Sequence, residues 1–146
     1  MSTERTEKLV VLNLRVLALS FAVVGALFIV TPDGVLNTIS DLGEKIGDFS
    51  RAPETDEKFW LALGFAYMVV ITGICLIAQR DVARHRPMLL ALVAGKAASS
   101  AAALGFYLFD DDVFIYLLNF LVDGYLAVNV FVLWRLAARV EAAAPG

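Results

Sequence analysis

With 146 residues, 60% hydrophobic and 18% charged, and a mean hydropathy of +0.75, the chain lies well outside the range of soluble domains and reads as one integral membrane domain. A net charge of −3 says little about partners when most of the apolar surface is meant to meet lipid. No basic run with interleaved aromatics is present, which leaves nucleic-acid binding without support.

Four stretches reach the roughly 20 apolar residues that a helix needs to cross a bilayer. The first is Leu9 to Val30. It is too long for the apolar region of a signal peptide, carries Asn13 and Arg15, and runs into Thr31-Pro32-Asp33-Gly34 instead of a small-x-small cleavage site, so a permanent helix is expected.

The connection that follows is the long one. Val35, Ile39, Leu42, Ile46 and Phe49 recur at alternating spacings of four and three with Asp41, Glu44, Lys45 and Asp48 between them. That pattern predicts an amphipathic helix over 35–49, lying either on the bundle rim and lipid headgroups or as a lid over the bundle. Asp33-Gly34 turns the chain out of the first span, Ser50 to Pro53 ends the amphipathic piece, and Thr55, Asp56 and Glu57 start the next helix.

The second span, Phe59 to Ala78, carries Tyr67 at mid-depth and Cys75, the only cysteine. An internal disulfide is therefore impossible, and neither a Cys-x-x-Cys arrangement nor a second imidazole beside His85 suggests a metal, haem or other cofactor. The third span, Met88 to Phe109, is rich in small residues, with Gly95, Ser99 and Ala103 at spacings of four. Such residues let neighbouring backbones approach closely in a membrane, which predicts the packed centre of the bundle. The span also carries Lys96, from which Ser99 or Ser100, Ala103 and Tyr107 line up at helical spacing.

The fourth span, Val113 to Trp134, shows a matching stripe: Asp112, Tyr116, Asn119 and Asp123 at spacings of four, three and four. The third and fourth spans are joined by Asp110 to Asp112, so they are antiparallel neighbours whose depths can be compared. Asp123 lies about 15 Å below Val113 and Lys96 about 20 Å below Phe109 at 1.5 Å per residue. A lysine stem bridges the remaining difference of about 5 Å, which predicts an ion pair between Lys96 and Asp123. Arg15 lies about 9 Å into the first span by the same rise and either joins this cluster or snorkels to the interface. Tyr67 either faces the cluster or packs as an ordinary aromatic.

Orientation follows from the basic residues. Arg5, Lys8, Arg15, Arg80, Arg84, Arg86, Arg135 and Arg139 fall on one side, while Lys45, Arg51 and Lys58 sit among acids on the other. The expectation is an all-α four-helix bundle in a plasma membrane of bacterial type, with both termini cytoplasmic.

The stretches LRVLALSFAVVG, with Arg15 and Gly25, and ITGICLIAQRDVARHRPMLLAL give a layout that resembles the DoxX-like group of small four-helix membrane proteins. Such proteins often have an acidic residue in the second helix, and this sequence has none there. The resemblance implies an accessory subunit of a quinone-linked or other redox system and identifies no catalytic residue.

Two functional readings stay open. An ionisable residue at mid-bilayer costs roughly 2.5–3.5 kcal/mol even on insertion scales, so it faces the interior and has a partner. Lys96 and Asp123, with Asn119, Tyr116, Ser99, Ser100, Arg15 and Tyr67 as candidate companions, either bind a proton, an anion or a polar small molecule in a carrier or merely join the helices of an accessory subunit. No nucleophile with a base or cofactor ligand set is visible, so no enzyme is expected. The expected partners are lipid and other membrane subunits, or further copies of the chain.

Overall fold

The computed structural model describes residues 2–52 and 58–143. They form five helices: α1 (Thr3–Val30), α2 (Pro32–Ile46), α3 (Lys58–Ala78), α4 (Arg86–Phe109) and α5 (Phe114–Ala143). Four of these, α1, α3, α4 and α5, are long and apolar enough to cross a membrane. The expected start of the second span at Thr55 to Glu57, and Pro53 before it, lie outside the described residues.

Small residues decide which helices touch. The most extensive packing is between α4 and α5, then α1 with α3 and α1 with α5, while α3 meets α4 only lightly. The order around the bundle is therefore α4, α5, α1, α3. Gly25 lets α1 close on α3: a Cβ there would sit 2.9 Å from that of Met68.

The buried core occupies one half of the bundle's length. It joins Val10, Leu14, Leu17 and Phe21 of α1 to Ile71 and Cys75 of α3, Leu89 and Leu92 of α4, and Val130 and Leu133 of α5. These residues come from the stretch Val10 to Phe21 of α1, the first half of α4 and the second halves of α3 and α5, toward the end that carries the chain termini. A hydrogen bond from Asn129 Nδ2 to Asn13 Oδ1 (3.3 Å) ties α5 to α1 at this end.

Two helices run further here than hydropathy suggested. Ser2 extends α1, its Oγ accepting from the Arg5 N–H at 3.4 Å and its carbonyl from Thr6 Oγ1 at 3.1 Å, as N-terminal caps do. Arg86, in the first turn of α4, holds the last turns of α5: its guanidinium reaches Glu141 Oε2 at 2.7 Å and lies 4.4 Å from the centre of the Trp134 ring. Arg86→Ala is expected to fray α5 beyond Trp134. Losing a part-exposed ion pair and a cation–π contact of about 0.5–1 kcal/mol each should speed amide exchange over 137–143 several-fold while melting of the whole bundle barely moves.

The amphipathic segment is helical, with corrections. It begins at Pro32, a residue suited to the first helical turn, and ends at Ile46, so Phe49 is outside it. The Gly47 N–H closes the helix on the Gly43 carbonyl at 2.9 Å, and Phe49 then turns its ring onto Phe114, 5.1 Å between centroids. Of the apolar positions within the helix, Leu42 and Ile46 are 46% and 62% exposed, so they do not pack on the bundle. What meets the bundle is Ser40 and Gly43, both buried. A Cβ on Gly43 would lie 2.6 Å from that of Phe114, so α2 touches α5 by its backbone and only a residue without a side chain fits.

The strand of chain after α2 is fastened down. The Ala52 N–H donates to Ser40 Oγ at 3.2 Å and Ser50 Oγ to Asp112 Oδ1 at 2.9 Å, while Ser50 forms an isolated parallel bridge with Val113. Arg51 spans Asp41 and Glu44 at 2.7 Å each, and its hydrogen bond to Asp41, then that to Glu44, raise the guanidinium pKa above its ordinary value.

Candidate functional site

The central residues are placed by helix packing. Small neighbours on α4 let it approach α5, and that approach brings Lys96 Nζ to 2.9 Å from Asp123 Oδ1, with the two side chains only 2% and 7% exposed. The pair expected from counting depths is thus present and buried.

Two further residues complete its surroundings. Lys96 Nζ lies 4.7 Å from the ring centre of Phe21 on α1 and 5.3 Å from that of Tyr67 on α3. One ammonium therefore meets a residue from each of the other three spans: a carboxylate from α5 and ring faces from α1 and α3. Ring faces carry partial negative charge, and a desolvated cation on one gains about 2 kcal/mol. Such contacts offset part of the cost of burying the ion pair.

The Tyr67 hydroxyl is buried without a hydrogen-bond partner. It occupies space left by Gly95, where a Cβ would lie 2.9 Å from the hydroxyl oxygen. One turn further along α4, Ser100 Oγ donates to the Phe120 carbonyl at 2.8 Å, an approach that Gly124 permits, since a Cβ there would sit 3.1 Å from Ser100 Oγ.

The other candidates lie apart from the pair. Arg15 is exposed, and its Nε donates to Gln79 Oε1 at the end of α3 at 3.0 Å; it does not join the cluster. Asp112 is bonded to Ser50 in the connecting segments, so it caps the loop and does not begin an access path. Ser99, Tyr116 and Asn119 line a separate crevice of about 580 Å³ between α1, α4 and α5, which Val35 and Ile39 of α2 help to enclose. Asn119 Nδ2 donates to Ser99 Oγ at 3.4 Å, and the Tyr116 ring packs 5.7 Å from that of Phe106. The stripe from Asp112 to Asp123 is therefore divided among a loop, a crevice and a sealed ion pair.

Phe21, Gln79 and Asn129 are the residues that the sequence reading missed. Phe21 looks like any lipid-facing aromatic until the rotation of α1 is known, and Gln79 lies beyond the second span. Asn129 alone carried a signal, as a polar residue within the fourth span.

Among the described residues, no group of three or more His, Cys, Asp or Glu is placed to hold a metal ion. Cys75 is fully buried in the core, and His85 Nδ1 lies 3.0 Å from the Asp81 carbonyl in the connection before α4. No family model, curated protein or solved structure matches the chain.

Proposed function

We propose that this chain is a non-enzymatic multi-pass membrane protein that serves as an accessory or scaffold subunit of a membrane complex, with Lys96 and Asp123 as the lock that fixes the rotation of its four spans. The observation behind this reading is the enclosure of Lys96 Nζ by one group from each other span, in a pair almost closed to solvent. A binding site for a transported solute needs an opening to its charged groups, and the crevice lining contains neither Lys96 nor Asp123. A lock needs only that each helix present the right face. The excess of basic residues at the terminal end supports cytoplasmic termini, and the role agrees with the one implied by the DoxX-like resemblance.

One observation favours the carrier reading: the orphaned Tyr67 hydroxyl beside the pair, a group that a proton-carrying water would satisfy. Extraction of the source membranes in mild detergent, followed by native mass spectrometry, tests the choice. A complex of defined stoichiometry is expected, with no proton or anion flux above that of empty vesicles when the purified chain is reconstituted. Recovery as a lone monomer whose vesicles pass protons in a Lys96-dependent way overturns the proposal in favour of a carrier.

A further inference from the structure

The end of the bundle opposite the termini is packed differently from the core half, and the difference leaves a crevice. Its walls are Val24, Leu27 and Phe28 of α1, Ala103 and Phe106 of α4, and Leu118 and Val122 of α5, among others. α1 and α4 lie across the bundle from each other without extensive packing between them, which leaves room for the crevice. Val24, Leu27, Phe106 and Val122 are each between 37% and 53% exposed and border it at depths where a spanning helix meets hydrocarbon. An occupant therefore enters sideways from the bilayer. A volume of about 580 Å³ falls within the ~300–1,000 Å³ typical of small-molecule sites.

The lining holds no charged residue, and its polar atoms come from Ser99, Tyr116 and Asn119. Asn119 lies about 8 Å inside α5 from Phe114, at 1.5 Å per residue, where a polar group without a partner costs several kcal/mol. Its only side-chain hydrogen bond among the described residues is the long one to Ser99. That bond uses one N–H of the amide and the acceptor side of the serine. What remains facing the crevice is uncharged and can both donate and accept: the second N–H and the carbonyl oxygen of Asn119 and the hydroxyls of Ser99 and Tyr116. Uncharged polar groups in an otherwise apolar space call for a neutral polar group on the occupant, and the free N–H and O–H groups suit a carbonyl. An anion would have to leave its hydration shell with no cation available, since Lys96 is already enclosed by Asp123, Phe21 and Tyr67.

The geometry points to a lipid-binding site here: the crevice takes a neutral, mainly hydrocarbon molecule from the bilayer, carrying a ketone- or ester-type carbonyl that accepts hydrogen bonds from Asn119, Ser99 and Tyr116. Its site lies one helical turn from the Lys96–Asp123 pair and does not depend on that pair being a lock.

Three photoactivatable chains of equal length test this on the full-length protein in vesicles: a long-chain ketone, the matching hydrocarbon and the matching carboxylate. The ketone is expected to label the peptides spanning 99–106 and 115–122 at least fivefold more than the hydrocarbon does. Asn119→Leu should reduce ketone labelling to the hydrocarbon level, and Val122→Trp, which fills the crevice from its exposed edge, should abolish it, both with unchanged melting temperature. Equal labelling by ketone and hydrocarbon, labelling spread evenly over the exposed face of α3, or indifference to Asn119→Leu in a folded protein overturns the site. Stronger labelling of the same peptides by the carboxylate overturns the choice of a neutral ligand.

Discussion

Lys96→Met and Asp123→Asn should each cost the protein about 3–5 kcal/mol, the usual effect of leaving one member of a buried pair without its partner. Thermal unfolding of the purified protein, followed by loss of the monodisperse peak on size exclusion, measures it. The double variant Lys96→Met with Asp123→Leu, which leaves no buried charge, should recover most of that loss, because apolar replacements of a buried pair are often neutral in stability. From sequence alone, the charge swap Lys96→Asp with Asp123→Lys would be expected to restore the protein fully. The structure revises that expectation. A carboxylate at position 96 would face the negatively polarised rings of Phe21 and Tyr67, which now lie 4.7 and 5.3 Å from the ammonium. The swap should therefore recover less than the apolar double variant. Full stability of both single variants would show that the pair does not lock the bundle.

Gly43→Val should have the second largest effect, and it is local. The added side chain meets Phe114, whose Cβ would lie 2.6 Å from the new Cβ; both atoms are attached directly to backbone, so neither can swing aside. Relieving the overlap means moving α2 off α5, at about 1–3 kcal/mol for a forced overpacking. The displacement also pulls Ser40 from the Ala52 N–H and Ser50 from Asp112, releasing the segment after α2. Trypsin cleavage after Lys45 and Arg51 in intact vesicles should rise at least tenfold, while unfolding of the four spans changes little because the core lies at the other end of the bundle. Unaltered cleavage would mean that α2 is not held through Gly43. Gly43→Ser, with a smaller side chain but the same Cβ, should show the same effect in weaker form.

Much of the architecture is legible along the chain because a bilayer imposes a length. Runs of about 20 apolar residues mark the four stretches, and the observed helices cover each of them except for Val113 at the start of the fourth. The Lys96–Asp123 contact is legible for a related reason: a short connection makes the third and fourth spans antiparallel neighbours, and a fixed rise per residue turns positions into depths. The helix in the long connection is legible from its three-and-four spacing, but its orientation is not. Periodicity left open whether its apolar face meets the bundle or the headgroups; Leu42 and Ile46 are exposed, and Ser40 and Gly43 make the contact because they permit a closer approach than bulky side chains do.

The sequence by itself therefore determined the number of helices long and apolar enough to cross a membrane, the offsets of residues along them and the one ion pair those offsets match. Only the tertiary structure decided which way each helix is rotated: that Phe21 and Tyr67 turn onto Lys96, that Arg15 turns away to Gln79, and that Asn119 turns into a crevice of its own. The reason is physical. In a soluble helix the apolar stripe marks the inner face, whereas lipid is as apolar as a protein interior, so the lipid-facing and the buried sides of a span are written in the same residues. Rotation is then set by close packing, by Gly25, Gly95 and Gly124 admitting specific neighbours, and packing is a property of helices that have already met.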